Sequence, residues 1–399
     1  KNGKDNVVTY AGNIAKNGIT TSLLSLINNI DLKKRNYFIT FTVNKVRRNK
    51  EEILKLPEGV NYIPMMGVMD ATILDKVLMI LYRCNLMPSK LMQKKFDKLY
   101  KYDIRRYYYD APFKNVIQFN GYEYKRILEF GRFDSNRIIF VHNNMVKEIE
   151  TRQNQHKKTL VYAYNTYDKV AIVTEDMMDP TMEFCYDKSR IRIANNTIDY
   201  QKIQEMGNSP IKYDDTTVCR YTAEELYEVL NDKTYKTFIT IGRFSPEKGH
   251  LRLLDAFNTI WEQDHKVKLV IIGGHGVEYQ HTLDYASSLP CNDDVMIIKS
   301  MSNPQSVLKL CDYFVLSSFY EGLGLVLMEA DIQGLPVMST DILGPRGFLK
   351  EYHGLLVENS TEGIIDGMKK MKNGLVKPLH VDYQKYNEKA VQQFEDLLV

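Results

Sequence analysis

The sequence predicts an α/β protein of two domains, each a parallel β-sheet covered by helices on both faces. Three observations predict it. The chain has 399 residues, more than one hydrophobic core commonly serves. Short continuous apolar runs alternate with helical patterns through most of it, which is the pattern of parallel sheets buried on both sides. A polar, turn-rich stretch, from Gly207-Asn208-Ser209-Pro210 through Asp214-Asp215-Thr216-Thr217, interrupts that alternation near the middle.

In the first half the runs that read as strands are Asn6–Gly12, Tyr37–Asn44, Tyr62–Met66, Val116–Asn120, Ile138–His142, Val170–Thr174 and Ile191–Asn195. In the second half they are Phe238–Gly242, Leu269–Gly273, Val295–Lys299, Phe314–Ser317, Val337–Ser339 and Leu355–Val357. Helical stretches such as Ile19–Ile30, His250–Trp261 and Gly324–Gln333 lie between them. The expected division is a first domain over 1–206, a linker region over 207–236, a second domain over 237–380, and a final helix over 381–399 that can cross back to the first domain. Open α/β sheets bind ligands outside the carboxyl ends of their strands. Two such domains face to face are expected to leave one deep cleft.

Composition excludes several classes. With 44% hydrophobic and 26% charged residues the chain reads as a soluble globular protein. A net charge of +3 gives no global argument for nucleic acid. Cys84, Cys185, Cys219, Cys291 and Cys311 are scattered without a C-x-x-C pair, against a disulfide framework or a zinc site and for a reducing compartment. No apolar run approaches the roughly 18–20 residues of a membrane span, and Val7–Gly12 reads as a buried strand rather than a signal peptide. A cytoplasmic location is expected, with the inner face of the membrane left open. The chain starts at Lys1 without a methionine, as one piece of a longer polypeptide would.

One region departs from the pattern. Lys90, Lys94, Lys95, Lys98, Lys101, Arg105 and Arg106 stand against Asp97 and Asp103, interleaved with Phe96, Tyr100, Tyr102 and Tyr107-Tyr108-Tyr109. The apolar segment Ile73–Met87 precedes it, closed by Pro88. Two readings stand: a solvated helix face, or a surface for an anionic polymer or membrane headgroups.

Two segments carry chemistry. In Ile241-Gly242-Arg243-Phe244-Ser245-Pro246-Glu247-Lys248-Gly249-His250 a strand ends at Gly242 and a helix starts just after Gly249. Glycine lets the backbone approach a ligand. Arg243 and Lys248 then supply a planar fork and a mobile point charge, the two cations a diphosphate needs. The second segment, Ser317-Ser318-Phe319-Tyr320-Glu321-Gly322-Leu323-Gly324-Leu325-Val326-Leu327-Met328-Glu329-Ala330, follows a strand and opens an apolar helix. Its glycines leave the backbone amides of 322–325 uncovered at a helix N-terminus, a ready site for phosphate oxygens. Glu321 precedes the helix and Glu329 is expected two turns inside it, about 12 Å further along. That separation does not suit the pair of carboxylates about 5 Å apart in a retaining glycosidase. It suits two acceptors gripping hydroxyls at different places on one long ligand. The blander alternatives are solvated charges for the cations and a surface glutamate for Glu329, although Val326, Leu327, Met328 and Ala330 around Glu329 are apolar.

Gly242-Arg243 with Glu247-Lys248-Gly249, the strand Leu269–Gly274, and Glu321 and Glu329 with Gly322-Leu323-Gly324 between them resemble the retaining glycosyltransferases of the GT-B fold, in the bacterial glycosyl-1-transferase family (family four). The resemblance covers the whole second half. The first half is similar more loosely, through Asn6–Gly12 followed by Asn17-Gly18-Ile19-Thr20-Thr21. A narrower resemblance is to glycosyltransferase domains found with CDP-glycerol glycerophosphotransferases, which act on teichoic-acid or capsule polymers. It rests on Ile117–Tyr122, Asn195–Asp199 and Ser339–Phe348.

The resemblance implies two Rossmann-like domains facing each other across a cleft, and roles for single residues. Arg243 and Lys248, with the amides of Gly322, Leu323, Gly324 and Leu325, would bind the donor diphosphate and stabilise charge that builds on it. Glu329 would accept from the ribose hydroxyls. Glu321 would hold the donor sugar and count as catalytic, together with His142 at its strand end. Gly12 and Gly18 would let the first loop approach the reacting groups, and the strand end at Lys299 and Met301 would meet the nucleobase through backbone groups. Lys94, Lys95, Lys98 and Arg105 are the candidates for an anionic polyol-phosphate or glycan acceptor, with peripheral membrane contact as the alternative. The implied activity is transfer of a hexose or N-acetylhexosamine from a nucleotide-diphosphate sugar, a UDP-sugar, to a cell-surface polymer. No cofactor and no metal are expected, the pair Asp293-Asp294 reading as a turn. A nucleotide-sugar epimerase of the same fold and a binding module without turnover remain as rivals.

Overall fold

The computed structural model describes residues 3–12, 14, 17–42, 57–65, 71–86, 89–274 and 276–399. The expected strand ends at Asn44 and Met66, and Met87 and Pro88 of the apolar segment, lie outside the described residues. The chain divides into two compact units, residues 1–198 with 384–399 and residues 199–383.

In the first unit the strands are β1 (Asn6–Tyr10), β2 (Asn36–Thr42), β3 (Val60–Met65), β4 (Phe113–Gln118), β5 (Asn136–Val141), β6 (Lys169–Ile172) and β7 (Ile191–Ile193). They form one sheet in the order β3-β2-β1-β4-β5-β6-β7, with every pair parallel. Val8, Tyr10, Val116, Ile139, Val141 and Ile172 point into its main core, and parallel strands buried on both faces need such unbroken apolar sequence. The order reverses between β1 and β4, so the loops after those two strands part at the centre of the sheet.

Residues 384–399 close this unit. Asn387 accepts from the Ile198 amide at 2.9 Å and donates to its carbonyl at 2.8 Å. Arg35 pairs with Glu395, and Asn115 exchanges two hydrogen bonds with the Val399 backbone.

The second unit repeats the plan with β8 (Lys236–Ile241), β9 (Val267–Gly273), β10 (Val295–Lys299), β11 (Tyr313–Leu316), β12 (Val337–Thr340) and β13 (Leu355–Val357), in the order β10-β9-β8-β11-β12-β13. All pairs are again parallel. The helix His250–Gln263 lays Leu253, Leu254, Ala256, Phe257 and Ile260 on this sheet. Spacings of three and four residues put them on one face, and full burial of a side chain such as Phe257 contributes about 1.5–3 kcal/mol.

The division lies at 198/199 rather than near 207. The helix Tyr200–Gly207 belongs to the second unit, where Gln333 donates to the Ile203 carbonyl at 2.5 Å and Asn303 to the Met206 carbonyl at 2.9 Å. The stretch expected as a linker is likewise tied into this unit. Val218 bridges Lys299, and Thr222 and Glu225 form a capping box on the helix Ala223–Asn231. Among the described residues no helix is long and apolar enough to cross a membrane.

Candidate functional site

The strand order of the second unit reverses between β8 and β11, and the two chemistry-bearing segments are the loops that leave those strands. After β8 the chain makes one tight turn, Pro246–Lys248. It is set by a hydrogen bond from the Lys248 amide to the Ser245 carbonyl at 3.0 Å. Gly249 ends the turn at φ +65°, and a Cβ there would stand 2.4 Å from the Ser317 carbonyl oxygen. Both the conformation and the space therefore require glycine. The stem of Lys248 packs over Gly242, and its ammonium pairs with the Glu321 carboxylate. Ser318 Oγ donates to the same Glu321 oxygen at 2.9 Å. Arg243 reaches Glu247 at 3.0 Å and keeps its side chain 54% exposed, while Glu247 is buried.

The second loop is held from below. Arg252, buried on the helix His250–Gln263, donates to the Ser317 carbonyl at 2.8 Å, the Ser318 carbonyl at 2.7 Å and Asn359 Oδ1 at 2.8 Å. Its guanidinium lies 3.7 Å from the centre of the Phe319 ring. Burial pulls its pKa down to about 10, which still leaves it a cation at neutral pH. These three acceptors are neutral, so positive charge accumulates beneath the segment that carries Glu321. Gly344 comes so close to the Gly322 carbonyl that a Cβ would overlap it. Gly324, at φ +74°, starts the helix Leu325–Ile332; the Leu327 amide bonds the Gly324 carbonyl at 2.9 Å, and the amides of Leu325 and Val326 precede any intrahelical acceptor.

Glu329 lies little more than one turn inside this helix, not the expected two, because residues 321–324 stay outside it and the helix starts at Leu325. Gln305 donates to its carboxylate at 2.6 Å. Burial pushes the Glu329 carboxyl up to about 7, and the Gln305 bond opposes that shift. Glu321 and Glu329 thus have separate surroundings, one paired with a cation and one with a neutral amide.

At the end of β10 the Lys299 amide and carbonyl both bond Val218 at 2.9 Å, which fixes the strand end and leaves the carbonyl one further acceptor site. Its ammonium sits 4.4 Å from the Tyr279 ring centre. Ser300 turns the chain at φ +61° with its amide bonded to the Gly273 carbonyl at 2.7 Å, and Met301 is buried. Asp294 is committed elsewhere, accepting from Trp261 Nε1 at 2.7 Å and Lys268 Nζ at 2.6 Å.

In the first unit Gly12 follows β1 at φ +74°, and a Cβ would meet Asn120 Nδ2 at 2.5 Å. This places the loops after β1 and β4 in contact at that unit's own reversal. Gly18 faces open space and starts the helix Gly18–Asn29, which Asn17 caps by accepting from the Thr20 amide at 3.1 Å. His142 is buried beside Phe119 and Phe140. Its Nε2 donates to the Phe119 carbonyl at 2.7 Å. Burial holds its pKa at about 4 against that bond, so the ring is neutral and unsuited to act as a strong base.

Lys94, Lys95, Lys98 and Arg105 are exposed on the helix Ser89–Tyr108, with Arg105 3.3 Å from Asp110. The aromatics accompany them only in part. Phe96, Tyr100 and Tyr108 are core residues, while Tyr102 and Tyr109 are exposed. The helical turn puts Phe96 and Tyr100 on the side away from the exposed lysines.

Sequence reading assigned no role to Arg252, Ser318 or Gln305. Arg252 and Gln305 lie outside the two segments, Ser318 lies inside the second, and each acts through its partners in the folded chain.

Residues 223–390 match the family model for glycosyl transferases group 1. The fold of the whole chain is GT-B. A solved structure of HepE from Anabaena, in complex with UDP and glucose, superposes with a TM-score of 0.67 at 12% identity over 98% of both chains. Among curated proteins, an uncharacterized glycosyltransferase of Methanocaldococcus jannaschii is 28% identical over 53% of this chain and 50% of its own length. The capsular polysaccharide biosynthesis glycosyltransferase CapM of Staphylococcus aureus is 29% identical over 38% of this chain and 36% of its own. The chain thus spans half the length, or less, of these curated relatives.

Proposed function

We propose that this protein is a retaining glycosyltransferase that moves a hexose or N-acetylhexosamine from a UDP-sugar to a precursor of a cell-surface polymer of the capsule or teichoic-acid kind. The observation that carries the reading is the Lys248–Glu321 pair beside the Gly322–Leu325 helix start, at the point where the sheet order reverses. The group 1 match over this half and the capsule role named for CapM support it.

In this reading the donor diphosphate takes up Lys248, Arg243 and the amides of Gly322, Leu323, Gly324 and Leu325. Glu329 accepts from the ribose hydroxyls and the Ser300–Met301 backbone meets the base. When the anomeric C–O bond to the diphosphate breaks, negative charge grows on the leaving phosphate, where Lys248 and Arg243 already stand. Glu321, released from part of its contact with Lys248, orients the sugar hydroxyls. The acceptor hydroxyl then attacks from the face the phosphate leaves, and its proton passes to that phosphate. Neutral His142 serves the first unit as a hydrogen-bonding group, and that unit takes the acceptor. The cations supply the charge stabilisation, so the mechanism uses no metal.

The test is nucleotide release from a panel of UDP- and GDP-sugars, with and without polyol-phosphate polymer, followed by NMR of the product's anomeric configuration. Release that depends on acceptor, with retained configuration, is the expected result. Sugar interconversion without nucleotide release would identify an epimerase instead.

A further inference from the structure

The strand ends of the two units differ in charge. In the second unit Arg243 and Lys248 stand in the loop after β8. In the first unit the described residues that directly follow β1, β4, β5, β6 and β7, before the next helical turn, include neither lysine nor arginine. They end in amides and hydroxyls, such as Asn120, Asn143 and Thr174, and after β4 in the Glu123 carboxylate.

The loop that carries Glu123 is fixed. Gln118, the last residue of β4, accepts from the Gly121 amide at 3.1 Å, and Asn120 from the Tyr122 amide at 3.2 Å. Gly121 stands at φ +70°, where a Cβ would lie 2.6 Å from the Phe140 carbonyl oxygen, so the turn requires glycine. Glu123 follows, half-buried, just before the helix Tyr124–Phe130. The hydroxyl of Tyr10, a buried residue at the end of β1, lies within reach of the Glu123 carboxylate and 3.4 Å from Thr42 Oγ1. Burial, and then the Glu123 charge, hold this phenol well above its ordinary pKa range, so it remains a donor. Arg126, on the same helix, is buried and pairs with Glu129. Among the described residues no cation forms an ion pair with Glu123. The sheet order reverses between β1 and β4, the place where open α/β sheets take ligands.

We infer that Glu123, positioned by Tyr10, accepts hydrogen bonds from hydroxyls of the acceptor, and that the acceptor unit seated there is an uncharged sugar or polyol. A hydroxyl gains a charge-assisted hydrogen bond from this carboxylate. A phosphate would meet like charge with no paired cation to offset it. The inference rests on the transferase reading above and narrows its acceptor.

The test is nucleotide release by the full chain from UDP-glucose and UDP-N-acetylglucosamine, with octyl glucoside, glycerol or glycerol 3-phosphate as the acceptor. The neutral acceptors should stimulate release more than glycerol 3-phosphate does. Glu123→Gln should raise the KM for a neutral acceptor about tenfold, the difference between a charged and a neutral hydrogen-bond acceptor. The preference for glycerol over glycerol 3-phosphate should narrow by a similar factor, while UDP affinity stays within about twofold. Tyr10→Phe keeps the ring in the core and should raise the same KM about threefold. A merely structural role for either residue would lower the melting temperature without moving the preference between neutral and anionic acceptors. Stimulation by octyl glucoside alone would assign a sugar, and stimulation by glycerol as well would assign a polyol.

Stronger stimulation by glycerol 3-phosphate than by glycerol in the unaltered chain would overturn the inference. So would an unchanged preference in Glu123→Gln, or normal UDP binding with no stimulation by either neutral acceptor. Absence of UDP binding would overturn the transferase reading itself, and the inference with it.

Discussion

The Glu329 carboxyl offers a quantitative handle on the proposed donor site. With its pKa near 7, about a tenth of the molecules carry the carboxylate at pH 6 and about nine tenths at pH 8. If ribose hydroxyls donate to that carboxylate, only the ionised form binds well, and affinity should rise about tenfold between these pH values. The nucleotide's own phosphate titrates in the same range, so the informative comparison is with Glu329→Gln, which keeps an acceptor but does not titrate. At pH 8 the variant should bind UDP about fivefold more weakly, the difference between a charged and a neutral acceptor being about 1 kcal/mol. At pH 6 the two proteins should be nearly equal. Stability runs the other way. The folded state holds this proton more tightly than the unfolded state, so the contribution is present below about pH 4.5 and is lost as pH rises to about 7. Glu329→Gln should therefore raise the melting temperature at pH 8 and leave it unchanged near pH 4. Calorimetric titration with UDP and thermal scans, each at both ends of the pH range, check these points. Parallel pH profiles of UDP affinity for the two proteins would refute the ribose role.

Three further outcomes follow from the same geometry. Lys248→Ala and Arg243→Ala should each lower turnover at least a hundredfold, since one group that stabilises developing charge contributes about 3 kcal/mol; steady-state nucleotide release measures it. Glu321→Gln should leave UDP affinity within about threefold while lowering kcat at least tenfold if Glu321, held by Lys248 and Ser318, grips the sugar as proposed; equal losses in UDP binding and kcat would remove that assignment. Arg252→Met should lower kcat at least tenfold by freeing the Ser317 and Ser318 carbonyls, with partial recovery in Arg252→Lys; a lower melting temperature with unaltered kcat per folded molecule would make Arg252 merely structural.

How much of this was legible in the sequence depended on how local each cause was. The strands of the described residues were visible as apolar runs, and the structure extends several of them at their N-terminal ends, where Lys236 and Asn136 pair although they are polar. Gly249 and Gly324 were legible because a strand-to-helix junction often needs a left-handed residue, which glycine adopts without strain, and both have positive φ. The cations and aromatics of 90–109 were read together because they mix in sequence. Their spacing held a signal that was not used, since Phe96 and Tyr100 lie four residues apart opposite the lysine stripe. The exposure of Ile73, Leu74 and Ile80 on the helix Ile73–Arg83 was hidden for a different reason: an apolar helix pattern gives no sign of which residues the core will leave uncovered. Arg252 and Gln305 were illegible because their partners, Ser317 and Glu329, are 65 and 24 residues away. The environment of His142 depended on the neighbouring strand that ends at Gln118, just before Phe119, and no sequence motif records that placement.

The central claim is that the loops after β8 and β11 form a nucleotide-sugar donor site. Isothermal titration of UDP into the unaltered chain and into Lys248→Ala, both at pH 8, tests it most directly. The account predicts saturable one-to-one binding to the unaltered chain and at least a tenfold loss in the variant, whose folding is checked by its melting temperature. UDP binding of equal strength in both proteins would contradict it.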